Sequence, residues 1–354
     1  MYTRQIFQDI MNYRPGGHVP VIHWSGWSET HERWHAEGLP RDVDVHQYFG
    51  TRPMWAGVGV HLGLMPAFET VVYETTDEYR IVRGGDGVVE QQWLRKSCIP
   101  HYMDFTLKTA ADWPDYKRRL QPDPARIPAD LDQRLRNAEA SGLPVQAEAA
   151  SMMGWIRNWM GVENMCYLMY DDRAVYADMV DTLSDLVCWG LDQVLPKMKV
   201  DFAHGWEDIC GKAGPLVSPE IFRECVAPGY RKIRDKLESY GVKLYSIDSD
   251  GDVSALVGPW LDAGVNMQFP IEVGTWNGDA NHYRREYGRD LRVFGNFDKL
   301  AIERGEEAIE AEFKRLMPLI REGGFIMLPD HLITPGVSLD AYKRFLDRWR
   351  KLSV

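Results

Sequence analysis

The sequence has few cysteines, and no two of them are close together. The five cysteines among 354 residues are Cys98, Cys166, Cys188, Cys210 and Cys225. Their odd number and wide spacing provide no C-x-x-C pair. A disulfide framework and a zinc site built from clustered thiolates are therefore both disfavoured.

The sequence also lacks long apolar segments. It contains no run of about 18 apolar residues, the minimum for a membrane-spanning helix. The N-terminal segment MYTRQIFQDIMNYR alternates polar and apolar residues at helical spacing and has no apolar region typical of a signal peptide. We predict a cytoplasmic protein without a membrane partner.

Basic runs and glycine-rich phosphate loops are missing as well. The formal net charge is -11, from 52 acidic and 41 basic residues. Nucleic acids and anionic membranes require basic surfaces, so neither is an expected partner. Neither GxGxxG nor GxxxxGK[ST] occurs, which leaves nucleotide binding with little support.

What the sequence does contain is an alternation of strand-like and helix-like segments. Strand patterns are followed by helical patterns of about 10 to 15 residues, which is typical of βαβ units and a parallel sheet. The strand patterns are HVPVIHW, HYMDF, PVQAEAA, VDFAHGWEDI, VKLYSID, VNMQFPIEV, LRVFGNFD and FIMLPDH. We predict an α/β protein, a (β/α)8 TIM barrel in one domain (1–354) with an N-terminal helical segment.

Two segments interrupt this alternation. Residues 68–100 show two or three strand patterns around a GGDG turn, which predicts an inserted β-hairpin. The proline-rich segment QPDPARIP (121–128) predicts a crossing loop.

Acidic residues end most of the predicted barrel strands. Any single one could cap the next helix or form an Asx turn, as we expect for Asp252. In a TIM barrel, however, the carboxyl ends of the strands meet at one mouth. A polar catalytic mouth is therefore favoured, built from Glu148, Glu207, Asp208, Asp248, Asp250, Glu272, Asp298, Asp330 and His331.

The stretch YSIDSDGD contains the densest group of acids. Strand alternation places Asp248 and Asp250 on one face and Ser249 on the other. With a histidine from another strand they would form an open O,O,N site suited to zinc, Fe(II) or Mn(II). The alternative is a hydrogen-bonded acidic cluster neutralised by arginines or ordered water.

Aromatic residues are concentrated near the N-terminus, in HWSGWSETHERWH. We predict that His23, Trp24 and Trp27 line a substrate pocket. The alternative is ordinary packing in the core, which explains most tryptophans.

Several longer motifs resemble a known family. They are GPLVSPEIFRECVAPGYRKI, VKLYSIDSDGD with LVGPWLDAGVN, FGNFDK and GGFIMLPDHLITPGVSLDAYKRFL. In order and spacing the chain resembles the uroporphyrinogen decarboxylase superfamily, which includes corrinoid-dependent methyltransferases that serve coenzyme M. The resemblance implies a TIM barrel, a homodimer and, for the methyltransferase branch, a corrinoid-binding protein as partner.

The resemblance also implies a metal site. The H-x-C zinc motif of the methyltransferases aligns with Asp248-Ser249-Asp250, and their later cysteine aligns with His331. This substitution shifts the expected divalent metal, zinc first, from sulfur to oxygen ligands, which suits an oxygen leaving group better than a thiol. Glu207 is a possible fourth ligand, and Glu272 or Glu148 a candidate general acid or base.

We therefore expect a metal-dependent methyltransferase that moves a methyl group from a small donor, such as a methoxylated aromatic compound, to a corrinoid cobalt. Three alternatives remain open. They are a decarboxylase or lyase of a small non-porphyrin acid, a glycoside hydrolase using Glu207 and Glu272, and a non-catalytic ligand-binding barrel. Porphyrinogen decarboxylation is disfavoured because a substrate with many carboxylates would meet an acidic mouth.

Overall fold

The computed structural model of the protein describes residues 2–17, 19–96 and 99–352. His18 of the predicted HVPVIHW strand, and Ser97 and Cys98 of the predicted 68–100 insertion, lie outside these ranges. The strands, in chain order, are β1 Ala56–Val58, β2 Val71–Thr75, β3 Tyr79–Arg83, β4 Val88–Trp93, β5 His101–Phe105, β6 Val145–Glu148, β7 Phe202–Trp206, β8 Cys210–Gly211, β9 Gly214–Pro215, β10 Tyr245–Asp248, β11 Met267–Phe269, β12 Arg292–Phe294 and β13 Phe325–Ile326.

Helices follow most of the barrel strands. They are α1 Arg4–Met11, α2 Ser28–Ala36, α3 Val45–Phe49, α4 Trp113–Arg119, α5 Leu131–Ser141, α6 Gly154–Met160, α7 Val162–Asp171, α8 Arg173–Val194, α9 Pro219–Ile221, α10 Ala227–Ser239, α11 Ser254–Asp262, α12 Ala280–Tyr287, α13 Lys299–Arg304, α14 Glu306–Glu322 and α15 Leu339–Arg350. Short 3-10 turns occupy Ala110–Asp112 and Pro124–Arg126, and a π turn, Phe222–Val226, joins α9 to α10.

The central sheet is parallel and has the strand order β1-β6-β7-β10-β11-β12-β13. An eighth position is taken by the segment 19–27, which makes one parallel bridge from Ile22 to Arg52, before β1, and another from Gly26 to Ile333, after β13. We call 19–27 the closing segment. The predicted TIM barrel is thereby confirmed, with the HVPVIHW pattern in the closing position.

The inserted segment is larger than a hairpin. It forms a four-stranded antiparallel sheet with the order β2-β3-β4-β5. The predicted GGDG turn joins β3 to β4. The expectation that HYMDF belongs to the barrel was wrong, because β5 pairs with β4 and its residues 101–104 are exposed.

The proline-rich segment 121–128 is held against the barrel by Arg126, whose side chain is buried. Its guanidinium donates hydrogen bonds to the carbonyl oxygens of His61, Gly63 and Gln121. These bonds satisfy a buried guanidinium for which the described residues supply no ion-paired carboxylate, so Arg126 fixes this segment in place.

Candidate functional site: an acidic cluster at the barrel mouth

Three aspartates converge at the carboxyl ends of β7 and β10. Asp248 ends β10, Asp250 follows two residues later, and Asp208 lies two residues beyond β7. One oxygen of each carboxylate lies within 4.8 Å of the others. The strands are parallel neighbours with Asp248 opposite Trp206, so strand alternation brings Asp208 beside Asp250.

Local backbone geometry fixes this cluster. Asp208 has a left-handed φ of 48°, and its Oδ1 accepts a hydrogen bond from the backbone N–H of Asp250 at 3.0 Å. Gly251, at φ 81°, has no room for a side chain, because a Cβ would lie 2.2 Å from the carbonyl oxygen of Cys210. Only glycine fits there, which keeps Asp250 turned toward Asp208.

His331 completes the cluster from beyond β13. Its Nε2 lies 3.1 Å from Oδ2 of Asp250. The indole of Trp27 is stacked on the imidazole with centroids 5.5 Å apart, and Trp24 packs at a tilt at the same distance. Burial lowers the pKa of His331, but the hydrogen bond and charge of Asp250 outweigh it, so the pKa is raised.

The three carboxylates perturb one another. The pKa of Asp248 is raised well above its usual value by burial and then by the charges of Asp208, Asp250 and Glu272. The pKa of Asp208 is raised by burial and by Asp250. Oδ1 of Asp250 is buried and has no hydrogen-bond partner among the described residues. Buried carboxylates that crowd one another in this way require either protons or a cation.

The three aspartates fit a divalent cation, and His331, which contacts Asp250, adds a nitrogen donor beside them. Three carboxylates and one imidazole offer oxygen and nitrogen ligands, and a 3.1 Å separation between Nε2 and Oδ2 is close to the spacing of two ligands bound at about 2.0 to 2.1 Å. The unpartnered Oδ1 of Asp250 supplies an oxygen with no competing bond. Such a set suits zinc, manganese or iron(II) rather than a thiolate-preferring ion.

Glu207, assigned to catalysis from the sequence, is placed elsewhere. Its side chain is fully buried and accepts hydrogen bonds from the hydroxyls of Ser151 and Tyr230. The backbone N–H groups of Met152, Met153 and Gly154, at the start of α6, donate at 2.6 to 2.8 Å. Alternation points this residue away from the mouth, so Asp208 joins the cluster instead. A glycosidase pair of Glu207 and Glu272 is therefore excluded by the burial of Glu207.

Glu272 links the loops around the cluster. Its Oε2 accepts the backbone N–H of Gly251 at 2.9 Å, and its Oε1 accepts the hydroxyl of Thr275 at 2.9 Å. Nζ of Lys299 lies 3.6 Å from the same Oε1 and 3.5 Å from the buried Asp330. These contacts hold Glu272 in place next to the aspartates.

Two further strand-end acids are structural. Asp330 accepts backbone N–H groups of Val273 at 2.7 Å and Lys299 at 2.9 Å, which ties together the loops after β11 and β12. Asp298 caps α13 by accepting the N–H of Leu300 and pairs with Arg304. Asp298 therefore caps the next helix, as a strand-end acid commonly does, whereas Asp330 joins two loops.

Glu148 ends β6 and faces the barrel interior. Its Oε1 accepts the N–H of Ala150 at 3.1 Å. Desolvation inside the barrel raises the pKa of Glu148, although part of the residue remains accessible to solvent. Water therefore reaches this carboxyl group through the mouth.

His23 does not line the mouth with Trp24 and Trp27. It is buried, its Nδ1 lies 2.6 Å from the hydroxyl of Tyr342, and its ring contacts those of His46 and Phe49. Burial lowers its pKa to about 3. Consecutive residues of an extended segment point to opposite sides, which places His23 in the aromatic core and Trp24 at the site.

The chain is similar to known proteins in sequence and in fold. The chain is 24% identical over 183 residues to the uroporphyrinogen decarboxylase of Streptomyces coelicolor, and 23% identical to that of Streptomyces avermitilis. Each alignment covers 51% of this chain and 48% of the relative, so the match spans about half the length of these curated relatives.

A solved structure covers nearly the whole fold. The methyltransferase from Methanosarcina mazei superposes with a TM-score of 0.60 at 15% sequence identity, covering 99% of this chain and 98% of that one. This likeness establishes the shared barrel architecture. Separately, no helix in the described part of the chain is long and apolar enough to cross a bilayer.

The family itself is shown by its sequence profile. The profile of the uroporphyrinogen decarboxylase (URO-D) family matches residues 117–352, which contain β6 to β13 and every residue of the acidic cluster. The membership expected from the sequence motifs is confirmed: the chain belongs to the uroporphyrinogen decarboxylase family.

Proposed function

We propose that the protein is a corrinoid-dependent methyltransferase that takes a methyl group from a small ether donor. The observation that carries this proposal is the group of Asp208, Asp248 and Asp250, which His331 joins through its contact with Asp250. Within the described residues, Oδ1 of Asp250 has no hydrogen-bond partner. These four residues would hold a divalent cation, with zinc the first candidate. When bound, such a cation supplies a Lewis acid for the donor's ether oxygen.

The chain's own residues account for the remaining requirements. Trp24 and Trp27 fix the orientation of His331 and give the mouth an apolar wall. Glu272 and Lys299 hold the loop of Asp250 in position. Because these side chains are locked by several contacts, the cluster is organised before a donor arrives.

Glu148 is the proposed proton donor. Cleavage of the methyl–oxygen bond transfers the methyl group to cobalt(I) and leaves an alkoxide or phenoxide, which must take up a proton. The raised pKa of Glu148 keeps more of its protonated form available than an ordinary glutamate would have. Because Glu148 is exposed to water, a water molecule would relay this proton to the leaving oxygen at the acidic cluster.

The partner and setting follow from the same proposal. Cobalt(I) would be carried by a corrinoid-binding protein, as the resemblance to the methyltransferase branch implies. The methoxylated aromatic donor, the homodimer and the cytoplasmic location are parts of this proposal.

The direct test uses chemically reduced cob(I)alamin with the zinc-loaded protein and a panel of aryl and alkyl methyl ethers. We expect methylcobalamin to form, and we expect Asp250→Asn to abolish it. Asp252→Asn is the matched control, since Asp252 lies outside the group of three aspartates and its Oδ1 accepts the N–H of Ser254 at the start of α11. If no donor yields methylcobalamin, or if Asp250→Asn is as active as the control, the proposed function is wrong.

A further inference from the structure

A second polar group lies in the barrel interior below the acidic cluster. His204 on β7 and Ser246 on β10 are partners in the sheet register. Nδ1 of His204 lies 3.1 Å from Oγ of Ser246. Nε2 of the same ring has no hydrogen-bond partner among the described residues, and the side chain is only partly buried. One ring nitrogen is therefore open to the interior.

Aromatic rings connect this group to the cluster. From His331 the ring centroids follow at 5.5 Å to Trp24, 4.8 Å to Phe269, 5.6 Å to Trp55 and 4.9 Å to His204. The rings form a continuous wall. Planar apolar ligands pack favourably against such a wall.

The floor and the free space can also be identified. Trp55 contacts the rings of Phe202, Phe269 and Phe294, which belong to three different strands, so its indole lies across the interior. Above it, Gly57 of β1 and Glu148 of β6 are exposed, and His204 of β7 is partly exposed. We call the solvent-accessible space bordered by these residues the well.

The length of the well suits one ring. Asp248 and Asp208 stand two and four residues beyond the level of His204, which at about 3.3 Å per residue is roughly 7 to 13 Å. A benzene ring with oxygen atoms on opposite carbons, hydrogen-bonded at about 2.8 Å at each end, spans about 11 Å.

The charges around His204 determine which ring substituent can bind at the lower end of the well. Burial lowers the pKa of His204 to about 4, so its ring is neutral at neutral pH and offers a hydrogen bond without a positive charge. The register partner on its other side is Glu148. A carboxylate substituent would meet this acid and find no compensating cation on His204 or Ser246.

We propose that the well binds an aryl methyl ether with a neutral hydroxyl group on the opposite side of the ring. The ether oxygen lies at the acidic cluster and the hydroxyl bonds Nε2 of His204. The ether end rests on the proposed methyl transfer, whereas the hydroxyl end rests on His204, Ser246 and the aromatic wall. His204 is accordingly a specificity-determining residue.

The test measures binding rather than turnover. Quenching of tryptophan fluorescence in the zinc-loaded protein gives the Kd of 4-methoxyphenol, methoxybenzene and 4-methoxybenzoate. We expect 4-methoxyphenol to bind about tenfold more tightly than methoxybenzene, as one hydrogen bond allows, and 4-methoxybenzoate to bind most weakly. Equal affinities for the first two, or tightest binding of the benzoate, would overturn the proposal.

Variants assign the preference to one residue. His204→Leu should remove the difference between 4-methoxyphenol and methoxybenzene, and Ser246→Ala should reduce it. His204→Gln, which keeps a hydrogen-bonding group, should retain part of it and serves if the leucine variant does not fold. His282→Leu is the control, because His282 is an exposed residue of α12. An unchanged preference in the folded His204 variants contradicts the proposal.

These experiments distinguish a failure of the ligand-binding proposal from a failure of the proposed methyl transfer. If the hydroxyl preference is found and depends on His204 but no methylcobalamin forms, the well is correct and the proposed reaction is wrong. If methylcobalamin forms from ethers regardless of a hydroxyl, the reaction is correct and the assignment of His204 is wrong.

Discussion

The strongest stability prediction concerns Glu207. Its carboxylate is the acceptor for three backbone N–H groups, of Met152, Met153 and Gly154, and for two hydroxyls. In Glu207→Ala the hydroxyls of Ser151 and Tyr230 can rotate, but the three N–H groups stay buried without an acceptor. At about 1 to 1.5 kcal/mol each, this loss is about 3 to 5 kcal/mol.

This free energy converts to a measurable melting temperature. The entropy of unfolding is about 2.1 cal/mol/K per residue, or about 0.74 kcal/mol/K for this chain, so the expected decrease in Tm is about 4 to 7 °C. Glu207→Gln keeps one oxygen but turns an NH2 group toward at least one N–H donor, and we expect an intermediate decrease. Differential scanning calorimetry of the cation-free protein measures both.

A control variant and a zinc-binding measurement test the prediction for Glu207. Glu163→Gln, at an exposed position in the first turn of α7, should leave Tm within about 1 °C, as most surface substitutions do. Glu207→Gln should also weaken zinc binding, because Glu207 fixes the backbone that directs Asp208 into the cluster. A Tm for Glu207→Ala equal to that of the control would show that the five hydrogen bonds do not stabilise the fold.

Three other predictions follow from the cluster. Asp248→Asn should raise the Tm of the cation-free protein at neutral pH and make the Tm respond less to zinc. The reason is that a carboxyl group whose pKa is raised on folding destabilises the folded protein increasingly as the pH rises above the pKa of the unfolded chain. Melting curves from pH 4 to 8, with and without chelator, should therefore show the wild type losing stability relative to the variant. His331→Ala should weaken zinc binding about 10- to 100-fold by isothermal titration calorimetry, and undiminished affinity would remove His331 from the ligand set. Gly251→Ala should cost more than about 2 kcal/mol in urea denaturation, since the added Cβ meets a backbone oxygen at a left-handed φ, and a neutral result would contradict that geometry.

Periodicity predicted the barrel because each strand and its following helix are encoded locally. VKLYSID, VNMQFPIEV and LRVFGNFD all form parallel strands of the central sheet, as expected. HYMDF was assigned to the wrong sheet because its pattern is that of any strand. Its partner, β4, is chosen by tertiary pairing that the sequence of β5 does not reveal.

Alternation along strands could have corrected two site assignments. Glu207 was preferred to Asp208, although Asp208 lies two residues beyond Trp206, the register partner of Asp248. His23 was grouped with Trp24, although adjacent extended residues face opposite sides. His204 carried no sequence signal, because one histidine within a strand is more often a core residue than a ligand.

The closing segment determines where the barrel is mechanically weakest. Within the described residues it is joined to its neighbours by isolated bridges at Ile22 and Gly26, whereas adjacent barrel strands share ladders of several residues. Amide hydrogens along 19–27 should therefore exchange with solvent before those of β7 or β10. Trp24 and Trp27 belong to the closing segment. If this segment separated transiently from its neighbours, it would uncover His331 and open a side entrance through which a cation or a bulky ligand reaches the interior.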